Sequence, residues 1–262
     1  MSGAHPDVSL DVEGAAAQID SSTGSLASLI VDGVEVLHRG DGFGSFPMAP
    51  WCGRMRDGEL AFDGATHRFD RNDPPHALHG LVRDRPWQVQ AARPDRVTLV
   101  QQLDSRWPFG GTVTQEFVLA PNAMSMTMRI RAQDRPFPAQ AGWHPWFRRH
   151  LDGSSAPLRV EFDPAWQEER GDDHLPTGRR IAPQPPPWDD CFGMPDGVDV
   201  VVNWPDRLRL RIRSDARFVV VYDHRDFAVC VEPQSGPPDG LNTAPVVVRP
   251  GDELVVTAEW TW

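Results

Sequence analysis

The sequence contains no lysine, a single tyrosine and only three cysteines. All 26 basic side chains are therefore arginine, and against 37 acidic residues they leave a net charge of -11. Nucleic acids and anionic membrane surfaces are polyanions that repel such a chain, so we expect neither as a partner. An odd, small number of cysteines provides no disulfide framework and favours a reducing compartment, which predicts a cytoplasmic location.

The chain also lacks the usual targeting segments and several familiar catalytic motifs. No window approaches the ~18 apolar residues of a membrane-spanning helix. The first thirty residues carry Asp7, Asp11, Glu13 and Asp20 without a basic start and apolar run, so we expect no signal peptide. There is no Gly-x-Ser-x-Gly elbow, no phosphate-binding glycine loop and no Cys-x-x-Cys pair.

What the sequence does contain is a series of short runs in which apolar and polar residues alternate, typical of half-buried strands. Two runs enclose an Asp-Gly pair, at Asp32-Gly33 and Asp63-Gly64, which predicts β-hairpins. Further strands are predicted at 96–104, 111–120, 123–132, 208–214, 217–223, 227–232 and 253–262.

Helices are not expected, because 26 prolines and 22 glycines interrupt most windows of helical length. Many short antiparallel strands predict an all-β sandwich or barrel. Strand patterning resumes unchanged after the proline-rich stretch 183–187. We therefore predict that residues 1–262 form a single domain.

Two ionisable residues occupy similar positions at predicted strand ends. Glu232 shares a strand face with Cys230, and His144 shares one with Gly142, where Pro145 is predicted to end the pairing. A carboxylate and an imidazole have ordinary pKa values of roughly 4.3 and 6.5. A modest upward shift of the His144 pKa would make them a base and an acid near neutral pH. The residues alone equally allow an edge charge and a hydrogen-bonded turn histidine.

The stretch HALHGLVRDRPW contains His76 and His79, three residues apart. Metal sites use such spacing, but no cysteine or second histidine pair accompanies these two residues. Metal binding is therefore a weak alternative, and we predict that the protein uses no metal. Gly80 directly follows His79 and would allow the backbone to approach a ligand closely.

Arginines and aspartates supply further candidate binding groups. Arg54 and Arg56 precede a predicted strand, where a guanidinium could donate to hydroxyls, carboxylates or phosphates; for Arg56, ordinary surface charge is the preferred interpretation. Asp189 and Asp190 lie in the sequence WDDCF. Either could accept hydrogen bonds from two sugar hydroxyls or cap a turn. The ten tryptophans offer flat faces that suit pyranose rings, although most are expected to serve packing.

Taken together and in order, these stretches resemble the aldose 1-epimerase (galactose mutarotase) family. The matching motifs are the arginine of CGRMRDG, Leu-His-Gly, Gly-x-His-Pro-aromatic-Phe, Asp-x-x-Phe and Glu-Pro-Gln, which span residues 54–234. The resemblance implies a large antiparallel β-sandwich of the galactose mutarotase-like (supersandwich) type, with its site in a cleft on one concave sheet. It implies an isomerase that needs no cofactor, binds a small-molecule sugar, and is a monomer or homodimer.

The resemblance also implies roles for individual residues. Glu232 matches the general base of the family and His144 its general acid. The residues that match sugar-contacting positions are Arg54, His79 and Asp189, with Asp190 as the less favoured aspartate. Two positions depart from galactose mutarotases, since Trp143 and Leu81 stand where Asn and Gly are common. Both departures predict a bulkier and more apolar cleft.

The activity implied is the interconversion of the α and β anomers of a free aldohexose through the open-chain aldehyde. A hexose-6-phosphate 1-epimerase is one alternative, with Arg148 and Arg149 as candidates for a cationic pocket. A non-catalytic carbohydrate-binding protein is a second. A glycosidase is a third, although it would need a second carboxylate beside Glu232.

Overall fold

The computed structural model describes residues 7–262, which are almost entirely strand and turn. The helical elements of this part of the chain are a 3-10 turn (Arg56–Gly58) and one short α-helix, α1 (Gly240–Thr243). Neither is long or apolar enough to cross a membrane. The predicted all-β class is confirmed.

The larger of two antiparallel sheets has eleven strands. Across the sheet they run β1 (Val8–Val12), β2 (Ala15–Asp20), β3 (Ser25–Val31), β5 (Ser45–Met48), β15 (Gly142–Arg148), β23 (Ala228–Gln234), β22 (Phe218–Tyr222), β19 (Asp189–Gly193), β17 (Trp166–Arg170) and β18 (Pro176–Ile181), while β4 (Val34–Glu35) also pairs with β3.

The second antiparallel sheet has eight strands, in the order β10 (Gln88–Arg93), β11 (Arg96–Gln102), β12 (Thr112–Ala120), β13 (Ala123–Arg131), β25 (Glu253–Thr261), β21 (Leu208–Ser214), β20 (Val198–Trp204) and β16 (Arg159–Glu161). Three small ribbons complete the fold: β6 (Arg54–Met55) with β9 (Ala77–Leu78), β7 (Glu59–Phe62) with β8 (Ala65–Arg68), and β14 (Phe137–Pro138) with β24 (Val247–Val248).

Both predicted Asp-Gly hairpins are present. One joins β3 to β4 and the other joins β7 to β8. The two turn residues have positive φ in each case, 47° and 77° at Asp32-Gly33 and 53° and 73° at Asp63-Gly64. Two-residue turns of this kind follow the right-handed twist of the flanking strands, which explains why the dipeptide identifies them so well.

The two sheets pack face to face. Along β12, Val113 and Phe117 are buried while Thr114 between them is half-exposed, which is the period-two pattern of a strand with one face in a core. Phe147 of the larger sheet contacts Trp260 of the second sheet, with ring centroids 5.1 Å apart. One apolar cluster draws residues from both sheets, which supports the predicted single domain.

We expect Phe117→Ala to lower the free energy of unfolding by about 3–5 kcal/mol, because a fully buried aromatic ring leaves a cavity behind. Thr114→Ala, on the opposite face of β12, is the matched control and should cost less than about 1 kcal/mol. Urea denaturation followed by tryptophan fluorescence measures both. Equal losses in the two variants would show that the sheet does not pack as described.

Candidate active site

The larger sheet places His144 and Glu232 opposite each other. Trp146 on β15 pairs with Cys230 on β23. Two residues further along each antiparallel strand, the same register sets His144 against Glu232. Side chains in this relation have Cβ atoms about 4.5–5.5 Å apart, so cross-strand pairing alone brings the two groups together.

Pro145 and Pro233 lie beside this pair, and each is inside its strand. The prediction that these prolines end strand pairing is therefore wrong, since both strands continue beyond them. A proline has no N–H to give to a ladder, and the paired positions of β15 and β23 are interrupted between Gly142 and Trp146. The strands keep their register while the ladder opens where the two side chains meet.

The two side chains make a direct and almost fully buried contact. Nε2 of His144 lies 3.2 Å from Oε1 of Glu232. The residues are 7% and 2% exposed, so water screens their interaction poorly. An acid and a base within one hydrogen bond of each other can exchange a proton directly.

Burial holds this pair electrically neutral. It raises the pKa of Glu232 well above its ordinary value, and the negative charge of Asp189 raises it further. Burial also lowers the pKa of His144 to about 3, with a smaller contribution from Arg83. The predicted upward shift for His144 is therefore reversed. Both shifts favour the neutral form of each side chain, with a proton on Glu232 and none on His144 Nε2 facing it.

Aromatic rings, rather than a hydrogen bond to Nδ1, orient the His144 imidazole. Phe46 lies nearly parallel to it at a centroid distance of 4.5 Å, and Trp146 at 5.1 Å. His79 meets it edge-on at 5.0 Å. Within residues 7–262, the buried Nδ1 atom has no hydrogen-bond partner. The parallel rings also present π faces that can stabilise an imidazolium when one forms.

Gln234 orients the carboxylate. It is fully buried, two residues after Glu232 on the same face of β23. Its Nε2 donates to Oε2 of Glu232 over 3.1 Å, while its own Oε1 has no partner among the described residues. The sequence assigns Gln234 no role beyond the Glu-Pro-Gln motif, although its spacing of two from Glu232 is the signal that places it here.

Arg54 and His79 enter the same cavity from a small ribbon. Arg54 on β6 pairs with Leu78 on β9, the residue before His79. The Arg54 guanidinium donates through Nε to Asp73 over 2.8 Å. Burial lowers the pKa of His79 well below its ordinary value, and its buried Nδ1 has no partner within residues 7–262. His79 thus offers a neutral ring with an unused polar atom.

Gly80 allows two backbone segments to approach each other closely, and the close approach does not involve a ligand. A Cβ at this position would lie 2.0 Å from the carbonyl oxygen of Ala49, and φ is 73° there and 63° at His79. The sequence correctly predicts a close approach at Gly80, but the approaching group is the chain itself. The turn fixes the direction in which His79 points.

His76 and His79 do not form the metal-binding pair that was the weak alternative. His76 is buried, its Nδ1 accepts from the backbone N–H of Asp57, and its Nε2 lies 3.0 Å from the carbonyl oxygen of Asp173. Both ring nitrogens of His76 are thus engaged with the backbone, so His76 connects two loops and is not available to bind a metal.

Ligand-type atoms do gather elsewhere in the site. One atom each from His144, Cys230 and Glu232 lies within 4.8 Å of the other two, and this combination resembles a zinc ligand set. Burial raises the pKa of the Cys230 thiol well above its ordinary value, and Glu232 adds to that shift. Since zinc binds the thiolate, the environment disfavours the metal. The predicted absence of a required metal stays a prediction.

Of the two aspartates, Asp189 is the better placed. It lies on the same face of β19 as Cys191 and close enough to Glu232 for its charge to raise the Glu232 pKa. Arg170 donates to Asp189 through Nη1 over 2.6 Å. Asp190 also lines the cavity but accepts from the backbone N–H of Asp189. The geometry therefore places Asp189 beside Glu232.

All five residues singled out by the resemblance line one cavity of about 260 Å³, namely Arg54, His79, His144, Asp189 and Glu232. Further lining residues have no functional assignment from the sequence; they include Trp146, Glu168, Arg170, Tyr222, Arg225 and Gln234. Two of them, Trp146 and Gln234, stand two residues from a predicted site residue. That spacing becomes informative only when the cross-strand neighbours are known.

The remaining arginine candidates lie outside the cavity. Arg56 forms a half-exposed ion pair with Asp173 at 2.7 Å, as the surface-charge interpretation predicts. Arg148 is directed to the carbonyl oxygen of Glu35, and Arg149 donates to backbone carbonyls. Neither Arg148 nor Arg149 is available for a phosphate in this site, so that part of the sequence hypothesis is not supported.

The two departures from galactose mutarotases do not reach the cavity either. Trp143 is buried on the core side of β15, and its Nε1 donates to Gln115 over 2.9 Å. Leu81 packs against the main apolar cluster. Neither residue therefore makes the cavity bulkier or more apolar, since neither lines it. For Trp143 the reason is strand alternation, which turns the residue before His144 to the other face of the sheet.

Comparison with known proteins agrees with this geometry. A family model described as Aldose 1-epimerase matches residues 7–259, nearly the whole chain. No curated protein matches. The family match extends well beyond the short motifs quoted above.

Solved structures share the architecture. A galactose mutarotase-like protein from Clostridium acetobutylicum has a TM-score of 0.87 at 15% identity, covering 98% of this chain and 94% of that one. A galactose 1-epimerase from Lactobacillus acidophilus NCFM has 0.84 at 15%, covering 97% and 93%. An aldose epimerase homologue from C. elegans has 0.81 at 17%, covering 98% of each. At these identities the likeness shows the fold alone, and it confirms the predicted sandwich.

We expect the His144 imidazole to stay neutral between roughly pH 5 and 8, where an ordinary histidine gains its proton. The lowered pKa of about 3 requires this, because protonation then begins only in strong acid. Nitrogen-15 NMR shifts, assigned by comparison with His144→Gln, measure it. The same titration in denaturant is the control and should show an ordinary transition. A transition near 6.5 in the folded protein would contradict the neutral pair.

Proposed function

The chain belongs to the aldose 1-epimerase family, and we propose that it interconverts the α and β anomers of a free aldohexose. The observation that carries the proposal is the buried 3.2 Å contact between His144 Nε2 and Glu232 Oε1, beside a cavity lined with hydrogen-bonding side chains. Anomer exchange needs one base and one acid on either side of the same carbon, and this pair supplies both.

The proposed reaction opens and recloses the sugar ring. Glu232 takes the proton of the C1 hydroxyl while His144 protonates the ring oxygen, so the bond from C1 to that oxygen breaks and an aldehyde forms. After rotation about the C1–C2 bond, His144 takes back its proton and Glu232 returns one to the carbonyl oxygen as the ring closes. Each positioned acid or base contributes typically ~10²–10⁴-fold.

This reaction needs the shared proton on His144, whereas burial places it on Glu232 in the unliganded protein. Sugar hydroxyls that donate to Glu232 stabilise its carboxylate and so favour transfer of the proton across the 3.2 Å contact. Gln234 and Arg54 act in the same direction, since both lower the Glu232 pKa. Substrate binding thus prepares the base and the acid in one step.

The other cavity groups are proposed to hold the sugar. Arg54 offers donors, Asp189 offers acceptors, and the unpartnered Nδ1 of His79 and Oε1 of Gln234 are buried polar atoms that need a partner. Because these groups are largely paired or neutral, they suit an uncharged ligand.

The charges of the cavity favour a free sugar over a hexose 6-phosphate. Arg54 is paired with Asp73 and Arg170 with Asp189. Glu168 adds a further carboxylate to the lining. A phosphate would have to compete with these carboxylates for Arg54 and Arg170, at an energetic cost that a neutral sugar does not incur. Arg225 is the one arginine of the lining that makes no ion pair among the described residues.

The cavity geometry bears on the other two alternatives. A binding protein would not need an acid in contact with a base, a contact that costs desolvation and adds nothing to affinity. A glycosidase would need a second carboxylate, and the two candidates are already engaged, Asp189 with Arg170 and Glu168 with Trp166. Both observations support the epimerase proposal.

We expect Glu232→Gln to reduce anomer exchange by roughly 10²–10⁴-fold while changing sugar affinity modestly. The amide keeps the size of the side chain and can still bond a hydroxyl, but it cannot accept a proton. Exchange is measured by NMR on α- and β-enriched glucose and galactose, and affinity by calorimetry.

Glu168→Gln is the matched control, because Glu168 lines the same cavity but bonds to Trp166 and not to His144. Its exchange rate should change far less. If the wild-type protein exchanged anomers no faster than buffer, a binding protein would be the better interpretation. Full activity in Glu232→Gln would remove this residue from the mechanism.

We expect EDTA to leave anomer exchange unchanged, because no proposed step requires a Lewis acid. The test is informative because His144, Cys230 and Glu232 place ligand-type atoms within 4.8 Å of one another. Polarimetry of fresh α-glucose before and after dialysis against chelator measures it. Loss of activity that zinc or another divalent ion restores would contradict the prediction.

A further inference from the structure

Arg170 lies in the cavity wall, and the reaction described above gives it no part. It stands opposite Asp189, because the register that pairs Gln167 with Phe192 reaches these two residues three positions further along β17 and β19. Nη1 of Arg170 donates to Oδ2 of Asp189 over 2.6 Å. The two side chains are 31% and 23% exposed, so water screens this contact less than it screens an ion pair on the open surface.

The contact engages one oxygen of the Asp189 carboxylate and leaves the other available. Among residues 7–262, Oδ2 accepts from Arg170 while Oδ1 accepts no hydrogen bond. The torsion that turns an aspartate carboxylate is soft and has no single preferred angle. Holding Oδ2 therefore fixes the direction in which Oδ1 can accept from a hydroxyl of a bound sugar.

His174 holds Arg170 from the other side. Its Nδ1 atom lies 2.9 Å from Nη1 of Arg170. A guanidinium can only donate hydrogen bonds, so Nδ1 accepts and the neutral imidazole carries its proton on Nε2. His174 lies in the turn between β17 and β18, where its φ is 62°. One nitrogen of Arg170 thus connects this turn to the carboxylate of Asp189.

The turn is anchored on the ribbon at the other side of the cavity. Nη1 of Arg56 lies 2.7 Å from Oδ2 of Asp173, and Nε2 of His76 donates to the carbonyl oxygen of Asp173 over 3.0 Å. Arg56 follows β6 and His76 precedes β9, the two strands that position Arg54 and His79. Both sides of the candidate sugar site are therefore held in a fixed relation before a ligand binds.

We propose that Arg170 is a positioning residue, which directs the free oxygen of Asp189 towards a sugar hydroxyl and acts on the reaction only through Asp189. This inference rests on the proposed epimerase function. An acceptor that is already oriented reduces the cost of ordering side chains when the sugar binds. Since Asp189 would hold the sugar similarly in the ground state and the transition state, loss of Arg170 should raise KM and leave kcat nearly unchanged.

The same hairpin contains an ion pair that serves as a comparison. Arg179 on β18 donates through Nε to Glu169 on β17 over 2.7 Å, and neither residue lines the cavity. An arginine with a purely structural role on this hairpin would resemble Arg179. The contact between Arg170 and Asp189 differs because it faces the space that a ligand would occupy.

The test is a double-mutant cycle that combines Arg170→Met with Asp189→Ala, with anomer exchange of glucose and galactose followed by NMR. We expect Arg170→Met to raise KM about 10-fold and to change kcat less than about 2-fold, the effect of losing one hydrogen bond to a charged group. In the Asp189→Ala background the same substitution should change KM less than about 2-fold, because no carboxylate is left to orient. Arg179→Met is the matched control and should leave KM and kcat unchanged.

Two further variants separate positioning from folding. Only one nitrogen of Arg170 contacts Asp189, so an ammonium group can replace it in part, and Arg170→Lys should recover most of the lost KM. Urea denaturation reports whether Arg170→Met is folded under the assay conditions. If it is not, Arg170→Gln takes its place in the cycle, because it too removes the charge and retains a polar side chain.

The cycle can also contradict the proposal. Equal increases of KM with and without Asp189 would assign Arg170 to a direct sugar contact or to folding alone, and would overturn the positioning role. A fall in kcat at constant KM, or no rescue by Arg170→Lys, would overturn it as well.

Failure of the epimerase proposal is a separate result. If the wild-type protein exchanges no sugar, the same four proteins are compared by calorimetry with glucose and galactose. Losses of affinity that depend on each other would retain the positioning role of Arg170, and independent losses would reject it. Wild-type protein that binds neither sugar would reject both proposals.

Discussion

The burial of an acid and a base against each other is the constraint on which this structure depends. Neither Glu232 nor His144 could be buried alone as an ion without a large desolvation cost. Placed 3.2 Å apart, they share one proton and remain neutral as a pair. A cross-strand position in the middle of an eleven-stranded sheet provides that contact, because both side chains are fixed by backbone pairing on either side.

The surroundings preserve this neutrality. Burial raises the pKa of all three cysteine thiols well above the ordinary value, and a negative charge on Glu232 raises each of them further. The rings of Phe46 and Trp146 cover His144 without offering a hydrogen bond. The pair is therefore enclosed by weakly polar groups, while two arginines of the cavity lining, Arg54 and Arg170, form ion pairs with Asp73 and Asp189.

Local patterns predict the fold well and the site in part. The Asp63-Gly64 hairpin follows from two residues, because the turn requires positive φ at both. His144 and Glu232 stand out as ionisable residues in strands. The contact between them cannot be predicted from local patterns, because it depends on the register of two strands that are more than eighty residues apart in sequence. For the same reason, the sequence does not identify Gln234 and Trp146 as residues of the site.

The wrong predictions have a shared physical origin. Pro145 is predicted to end a strand, yet the strand continues, because tertiary pairing with β5 holds the chain extended where the ladder to β23 is interrupted. The upward pKa shift predicted for His144 is reversed, because a free-solution pKa ignores desolvation. In both cases an effect of the folded environment outweighs a rule drawn from neighbouring residues.

The neutral pair also connects binding to catalysis. An ion pair that existed before the ligand bound would carry the desolvation cost of two buried charges. The neutral pair has a much smaller desolvation cost in the unliganded protein. In the proposed mechanism, a ligand that brings hydroxyl donors to Glu232 stabilises the carboxylate and moves the proton to His144. An apolar molecule in the same cavity would leave the proton on Glu232. The chemistry that recognises a sugar is therefore the chemistry that activates the site.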